Sequence, residues 1–298
     1  MSTKELSKGI SIVIPTIGRD SLTNVLTSIH LDDTLIQHEV VIVASTEICK
    51  KIKQNYRGYK CIKLVTQEKA NISKSRNKGI LNSKFNTISP IDDDDLWVNG
   101  RAKLFQDKLQ IDKNAVVFGS AQFNVAGRDR KNRLGSNQRI NFEEYVKIFN
   151  PKILSKQDFF LQVGNCAFRK NIDLPKFNEK IAYLEDQIWT LDLLQKGFAV
   201  NQIEEITLEY FFSRERANLR WDIVTEKEIF RRLNKIDLSL ARKYVFKRSL
   251  KSLSLSFNNN LFRKAKLEII REFHPRCKEK VQILFLSVIN IFVSVLRK

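Results

Sequence analysis

Four consecutive aspartates are the residues of this sequence best suited to chemistry. Asp92 to Asp95 come directly after the stretch FNTISPI and before an amphipathic stretch. In an extended backbone Asp92 and Asp94 point to the same side. Adjacent carboxylates repel one another, so they need a cation or open solvent. Oxygen ligands of this kind suit Mg²⁺ or Mn²⁺. The alternative is a solvated acidic turn in which Asp95 caps the next helix.

A second group of acidic residues is the pair Glu185 and Asp186, which precedes an apolar stretch that ends at Gly197. The spacing predicts a helix from Glu185 to Lys196, with both acids in its first turn, where the helix dipole favours negative charge. An ionised carboxylate can also accept a proton. With an ordinary pKa near ~3.9, Asp186 is expected to be ionised at neutral pH. The structural and the catalytic interpretation can hold together.

Strand and helix patterns alternate along the first part of the chain. This alternation predicts a doubly wound sheet, in which ligands bind at the carboxyl ends of the strands. Because the aspartates follow such a strand, their position favours metal binding. The predicted strands are ISIVIP, EVVIVAS, CIKLVT, FNTISPI and AVVFGSAQFNV, with one or two more in Ala199–Phe212. The predicted helices are 20–30, 46–56, 72–82 and 96–109, and Gly127–Ser136 is expected to be an exposed loop.

The chain carries a net charge of +19, which attracts polyanions such as nucleic acid, anionic membranes or phosphorylated substrates. Residues 242–280 hold twelve Lys or Arg and three Glu, so nearly half of the excess lies there. A nucleic-acid-binding protein is one alternative, but no helix-turn-helix, zinc-finger or RNP pattern is found, and no nucleic-acid partner is expected. A nucleotidyltransferase is another alternative. The turn PTIGR lacks the Gly-rich phosphate loop common in those enzymes.

The C-terminal stretch Val281–Leu296 is apolar and uncharged. As a helix it reaches about 24 Å, short of the ~30 Å hydrocarbon core of a bilayer. We expect it to lie in the membrane interface, with the basic stretch against anionic headgroups. The alternatives are a buried terminal helix and an oligomer contact. A domain boundary near Arg220 separates a catalytic domain, 1–220, from a basic helical extension, 221–298.

The four cysteines are far apart and form no CxxC pair. They predict neither a zinc site nor a disulfide framework, and they fit a reducing compartment. The N-terminal stretch MSTKELSKG has no apolar segment of the secretory type. We therefore expect a cytoplasmic protein, peripheral at the inner face of the cell membrane.

Four stretches in the same order resemble family 2 glycosyltransferases, which are inverting enzymes with the GT-A fold. ISIVIPTIGR resembles the opening strand and turn of that family, and ISKSRNKGI resembles its Ala-Arg-Asn-x-Gly helix. PIDDDDLW resembles its Asp-x-Asp motif. VGNCAFRK, followed by FNEKIAYLEDQIWTLDLLQKGF, resembles its acceptor-side segment with a Glu-Asp pair. The matches cover roughly residues 10–215.

The resemblance implies an α/β fold: a GT-A type doubly wound mixed sheet flanked by helices, with a C-terminal helical extension. It implies transfer of a sugar from a nucleotide-diphosphate donor to a glycan or lipid-linked acceptor, in cell-surface polysaccharide or lipopolysaccharide synthesis. The implied residues are Asp186 as catalytic base with Glu185 beside it, Thr16, Arg76, Asp92 and Asp93 at the donor, and Asp94 as ligand of Mn²⁺ or Mg²⁺. Without the resemblance, Thr16 is interpreted as a turn residue and Arg76 as a surface helix arginine.

The sequence departs from the family at the end of its second strand. The family usually has aspartates there, one of which reads the nucleotide base, but here Ala44 and Ser45 follow Val43. Serine can form hydrogen bonds but brings no charge, so the base stays open, as does an inactive family member. Arg214 and Arg216 are candidates for binding the diphosphate, and their alternative is a surface role.

Overall fold

The computed structural model divides the chain into two compact units, one made of Met1–Tyr145 and Gln157–Ala217, the other of Val146–Lys156 and Asn218–Lys298. The predicted boundary near Arg220 stays a prediction. Arg214, Arg216 and Val281–Leu296 lie outside the described residues. The structure describes residues 9–34, 37–57, 60–69, 71–125, 131–133, 137–146, 161–181, 183–212, 223–237, 239–241 and 244.

The first half of the larger unit alternates strands and helices, as the sequence predicted. β1 is parallel to both β2 and β4, and β2 is parallel to β3. Every residue of β1 is buried, which explains its mainly apolar sequence. The elements are β1 (Ile10–Pro15), α1 (Leu22–His30), β2 (His38–Ala44), α2 (Thr46–Asn55), β3 (Ile62–Thr66), α3 (Ile72–Asn82) and β4 (Thr87–Pro90).

The second half makes the sheet mixed. The elements are β5 (Leu96–Trp97), α4 (Arg101–Ile111), β6 (Ala115–Val125), β7 (Lys131–Arg133), β8 (Gln138–Ile140), α5 (Phe142–Val146), β9 (Cys166–Arg169), α6 (Glu185–Gln195) and β10 (Ala199–Phe212). β9 lies antiparallel between β4 and β6, and β10 is parallel to β6. The strand order is β3-β2-β1-β4-β9-β6-β10-β5, with β7 on β6 and β8 on β10. In the other unit, α7 spans Ile223–Asn234.

Three sequence-based expectations need correction. The helix predicted from Leu96 begins instead at Arg101, because Trp97 pairs with Leu208 of β10 and Gly100 adopts a left-handed φ of 82°. Asp95 therefore does not cap that helix. β7 lies within the predicted loop. Ala199–Phe212 forms one strand with register shifts, in agreement with the prediction of one or two strands.

The start of α4 is capped from a distance by Asp32. Its buried carboxylate accepts hydrogen bonds from the backbone N–H groups of Gly100 and Ala102, at 3.1 and 3.4 Å, and from Trp97 Nε1 at 2.7 Å. A negative charge at this end of a helix also interacts favourably with the helix dipole. Burial raises the pKa of Asp32, but hydrogen bonds from Thr34, Trp97 and Gly100 outweigh burial and hold it below its ordinary value.

Replacing Asp32 by Ala is expected to lower the free energy of unfolding at pH 7 by about 2–3 kcal/mol, because buried N–H groups lose their acceptor. A lowered carboxyl pKa stabilises the fold above the unfolded-state pKa, and that contribution is lost as pH falls through the folded-state pKa. In urea unfolding, the difference in unfolding free energy between the wild-type protein and Asp32→Ala should therefore be smaller at pH 3 than at pH 7. Asp33→Ala, at the exposed neighbouring position, is the matched control. Equal losses in the two variants would contradict the capping role.

Within the described ranges, none of the helices combines the length and the apolar character needed to span a bilayer.

Candidate active site

The aspartate cluster follows β4 at the sheet edge where the parallel strands end, next to the end of β1. The Ile91 N–H donates to the Val13 carbonyl at 3.0 Å, which continues the pairing of the two strands. Thr16, directly after β1, donates from Oγ1 to Asp93 Oδ2 at 2.5 Å. Ser21 Oγ donates to the Asp93 carbonyl at 2.8 Å. The structure thus brings Thr16 and the cluster together, as the sequence predicted.

Arg19 is a member of this site that the sequence reasoning missed. Its Nη1 donates to Asp93 Oδ1 and lies 3.2 Å from Asp94 Oδ2. Burial lowers the pKa of the guanidinium, but the charges of Asp93 and Asp94 raise it by more, so the side chain stays protonated. The available signal was a cation in the turn PTIGR, which the fold directs towards the aspartates.

Arg76 lies on α3 and is buried, with 2 % of its side chain exposed. Its Nη2 lies 2.8 Å from Asp92 Oδ1, and its Nη1 lies 2.7 Å from Glu185 Oε1. The interpretation of Arg76 as a surface residue is therefore wrong. Burial lowers the guanidinium pKa, while Asp92 and Glu185 raise it by more, which keeps the charge permanent. Since both Nη atoms contact carboxylates, direct contact of Arg76 with the donor stays a prediction.

The helix α3 owes its position to the residues around Arg76. A Cβ atom at Gly79 would lie 2.3 Å from Val13 Cγ1, so only glycine lets the helix approach β1 this closely. Asn77 donates from Nδ2 to the Phe177 carbonyl at 2.9 Å and accepts from the Phe177 N–H at 2.9 Å. These contacts fix the helix between the sheet and the segment that leads to α6.

Glu185 and Asp186 begin α6, as predicted. The preceding residue, Leu184, has a φ of 58°, a strained conformation for a residue with a side chain, and the surrounding structure holds it. The Gln187 N–H donates to Asp186 Oδ1 at 2.7 Å. Among the described residues no hydrogen bond is made to Asp186 Oδ2.

The surroundings of Asp186 change its acidity. Burial raises its pKa most, the charge of Glu185 raises it further, Arg76 opposes both effects, and the balance lies at about 7. Asp92 adds to the rise, and the charge of Asp186 in turn raises the pKa of the buried Tyr145. The side chain is nevertheless only partly closed to solvent. The expectation that Asp186 is fully ionised at neutral pH is therefore wrong.

The resemblance assigns a metal to Asp94, whose Oδ2 lies 3.2 Å from Arg19 Nη1. Asp92 is paired with Arg76, Asp93 with Thr16 and Arg19, and Asp95 is buried and accepts from the Phe211 N–H at 3.3 Å. The side chain of Asp94 is 9 % exposed. In the described part of the chain, no three His, Cys, Asp or Glu residues converge as metal ligands. The donor set therefore fits a divalent cation held by Asp94 and otherwise by substrate phosphates and water.

Neutral side chains follow β2 and β3 at the same edge. Ser45 Oγ accepts from the Ile48 N–H at 3.3 Å and caps α2. Gln67 is buried after β3, and its N–H donates to the Ala44 carbonyl at 2.7 Å. Neither side chain brings a negative charge to this part of the site.

The model of glycosyl transferase family 2 matches residues 11–173 of this chain. The chain belongs to glycosyl transferase family 2. The matched span includes Arg76 and the aspartate cluster, and it ends before Glu185 and Asp186. No curated protein matches the sequence. The family assignment favours a glycosyltransferase over the nucleotidyltransferase alternative.

Solved structures share the fold of this family 2 glycosyltransferase. The crystal structure of S. aureus TarS 1-349 in complex with UDP-GlcNAc has a TM-score of 0.66 and 15 % identity, over 89 % of this chain and 80 % of TarS. TarS 1-349 alone has a TM-score of 0.63 and 15 % identity over the same shares. The crystal structure of TarS 1-349 in complex with UDP has a TM-score of 0.54 and 16 % identity, over 89 % of each chain. The GT-A fold is thereby confirmed.

Proposed function

We propose that this family 2 glycosyltransferase moves a sugar from a nucleotide-diphosphate sugar to an acceptor hydroxyl, with inversion at the anomeric carbon. The observation that carries the proposal is the double ion pair of Arg76, with Asp92 on one side and Glu185 on the other. This double ion pair supports the proposal because it joins Asp92, which the resemblance assigns to the donor, to Glu185, which it assigns to the catalytic pair. UDP-GlcNAc, which TarS binds, is the first donor to test.

The proposed reaction is a single displacement at the anomeric carbon. The acceptor oxygen forms a bond to that carbon, the bond to the nucleotide diphosphate breaks, and the diphosphate leaves with the electron pair. The hydroxyl proton passes to the carboxylate of Asp186, which acts as general base. Attack from the face opposite the leaving group inverts the configuration.

The departing diphosphate accumulates negative charge at the end of β4. A divalent cation, Mn²⁺ or Mg²⁺, would be held there by Asp94 and would offset that charge. Asp92 and Glu185 are paired with Arg76, and Thr16 fixes the neighbouring Asp93. Asp94 would thus be the ligand from the protein, and substrate phosphates and water would supply the others.

Replacing Asp94 by Asn is expected to remove the metal dependence of donor binding. Mn²⁺ should strengthen the binding of UDP-GlcNAc to the wild-type protein at least tenfold, and it should have almost no effect on the variant, because the amide lacks the ligand charge. Isothermal titration with and without Mn²⁺ measures the difference. Asp107→Asn, at a half-exposed position on α4, is the matched control. An unchanged Mn²⁺ effect in Asp94→Asn would refute the ligand role.

We further infer that the protein acts at an anionic membrane surface, at the cytoplasmic face, on a lipid-linked or glycan acceptor in cell-surface polysaccharide synthesis. This inference is supported by the sequence alone: the basic residues 242–280 followed by the apolar stretch Val281–Leu296.

Removing Val281 to Lys298 is expected to reduce binding to vesicles that contain anionic lipid, because the apolar contact with the interface is lost. Sedimentation with anionic and with neutral vesicles measures the bound fraction. The full chain should prefer anionic vesicles and lose that preference at high salt. Equal sedimentation of the full and the shortened chain would count against the membrane contact.

A further inference from the structure

Arg19 uses only one nitrogen of its guanidinium for the contacts described above. Nη1 contacts Asp93 and Asp94, whereas Nε and Nη2 make no hydrogen bond or ion pair with any described residue. The side chain is 42 % exposed, in contrast to the buried Arg76. A charged group with an unused pair of donors therefore lies at the ends of β1 and β4, beside the residue suited to the metal.

Asp93 holds this guanidinium in place. Its side chain is 2 % exposed; Oδ1 accepts from Arg19 and Oδ2 accepts from Thr16. Ser21 donates to its carbonyl, so the residue is fixed at three points. With both oxygens occupied by protein donors, Asp93 acts on the site through Arg19. This differs from the direct donor contact predicted from the sequence.

We propose that Arg19 binds the diphosphate of the donor through its Nε and Nη2 edge, and that Asp93 is the residue that positions it. The inference rests on the proposed function. The planar fork of a guanidinium matches two phosphate oxygens, and charge-assisted hydrogen bonds of this kind are the strong ones. Asp94, 3.2 Å from Nη1, places any bound cation next to the same anion. The two cations together would offset the charge of the diphosphate.

The competing explanation is that Arg19 only neutralises Asp94 until a metal replaces it. The two explanations predict opposite effects of removing the guanidinium. A phosphate ligand is lost in the first case, so diphosphate binding weakens. A competitor of the metal is lost in the second case, so Mn²⁺ binding to the donor-free protein strengthens while diphosphate binding is kept.

The test measures the affinities of UDP, dTDP and GDP by isothermal titration of the full chain in the presence of Mn²⁺. The affinity of the corresponding nucleoside is measured in the same way for comparison. The variants are Arg19→Ala, Arg19→Lys and the control Arg57→Ala. Arg57 is an exposed arginine just after α2, about 15 Å along that helix from the sheet edge. Arg19→Ala should weaken the binding of the preferred diphosphate about 10- to 100-fold and leave nucleoside binding unchanged. Arg19→Lys should bind the diphosphate several-fold more weakly than the wild-type protein, because lysine keeps the charge but lacks the planar pair of donors.

A double-mutant cycle tests the positioning by Asp93. Asp93→Asn should weaken diphosphate binding in the wild-type background and should have little further effect once Arg19 is Ala. A merely structural role of Asp93 would lower nucleoside binding as well. If Asp93→Asn weakens diphosphate binding equally in the wild-type and in the Arg19→Ala background, Asp93 does not act through Arg19, and the positioning role is excluded.

The remaining outcomes are distinct. Unchanged diphosphate binding in Arg19→Ala, or an equal loss for the nucleoside, overturns the inference about Arg19 and leaves the proposed function standing. Mn²⁺ affinity is measured by electron paramagnetic resonance. If Arg19→Ala binds Mn²⁺ more tightly and keeps its diphosphate affinity, the competing explanation is favoured and the inference about Arg19 is overturned. If the wild-type protein binds none of the three diphosphates, the proposed function fails and takes this inference with it. Should Arg19→Ala unfold, Arg19→Lys gives the decision.

Discussion

Replacing Asp186 by Asn is expected to reduce kcat about 10³-fold and to leave the affinity for the donor unchanged. The amide has nearly the shape of the carboxylate but cannot take up a proton from the acceptor hydroxyl, and a positioned general base contributes about 10²- to 10⁴-fold. Donor affinity is kept because the ion pairs of Arg76 with Asp92 and Glu185 do not involve Asp186. Turnover of the donor and its titration on the same preparation separate the two effects.

The pH dependence gives a second measurement on the same residue. Burial and the neighbouring Glu185 raise the pKa of Asp186 to about 7, and only the ionised form accepts a proton. The wild-type kcat should therefore rise with pH below about 7 and level off above it. Stability changes with pH in the opposite direction to kcat. Because the folded state binds the proton of Asp186 more tightly than the unfolded state does, the contribution of this group to the free energy of unfolding falls as pH rises towards 7.

Asp173→Asn, an exposed aspartate outside this acidic group, is the matched control and should keep both the rate and its pH profile. Full turnover by Asp186→Asn would exclude this residue as the base. A wild-type rate that is independent of pH between 5.5 and 8 would show that another group accepts the proton.

The alternation of strands and helices was predictable because β1 and β2 are buried along almost their whole length and form short, mainly apolar runs. The same logic placed Asp92 to Asp95 at a strand end. It failed at Trp97 and Gly100, where an amphipathic pattern is compatible with both a helix and a short edge strand. There the pairing with Leu208 of β10, a contact between residues far apart in the chain, decided the outcome.

The partners of the charged residues were beyond the reach of the sequence. The cluster was expected to need a cation, but the pattern does not reveal that two arginines supply part of it. Arg76 lies between Asp92 and Glu185, and Arg19 contacts both Asp93 and Asp94. The pKa of Asp186 likewise depends on burial and on neighbours that only the fold brings together.

These ion pairs explain how so many acids are tolerated in one site. Asp92 and Glu185 share one guanidinium, and Asp93 and Asp94 share another, so that each of these two guanidinium groups contacts two carboxylates. Asp186 has no ion pair with a described cation, and it is the carboxyl group whose pKa is raised to about 7. The ion pairs therefore distinguish these four acids from Asp186, the proposed general base.

Replacing Arg76 by Met is expected to lower the free energy of unfolding by about 3 kcal/mol, because removing one partner of a buried ion pair leaves the other charge uncompensated. The value is at the low end of the usual range since Asp92 and Glu185 keep 22 % and 11 % of their side chains exposed. The charge of Arg76 also opposes the rise of the Asp186 pKa. Its loss should move the pH profile of kcat to higher pH. Urea unfolding and the pH profile measure the two effects.

The conservative variant separates charge from shape. Arg76→Lys keeps the positive charge but cannot contact both carboxylates with a planar fork, so it should lose stability and yet keep the pH profile close to that of the wild-type protein. In Arg76→Met, the added change Glu185→Gln should recover part of the lost stability, because it removes one of the two uncompensated charges. If Arg76→Met were as stable as the wild-type protein and had the same pH profile, the ion pairs would not hold the two halves of the site together.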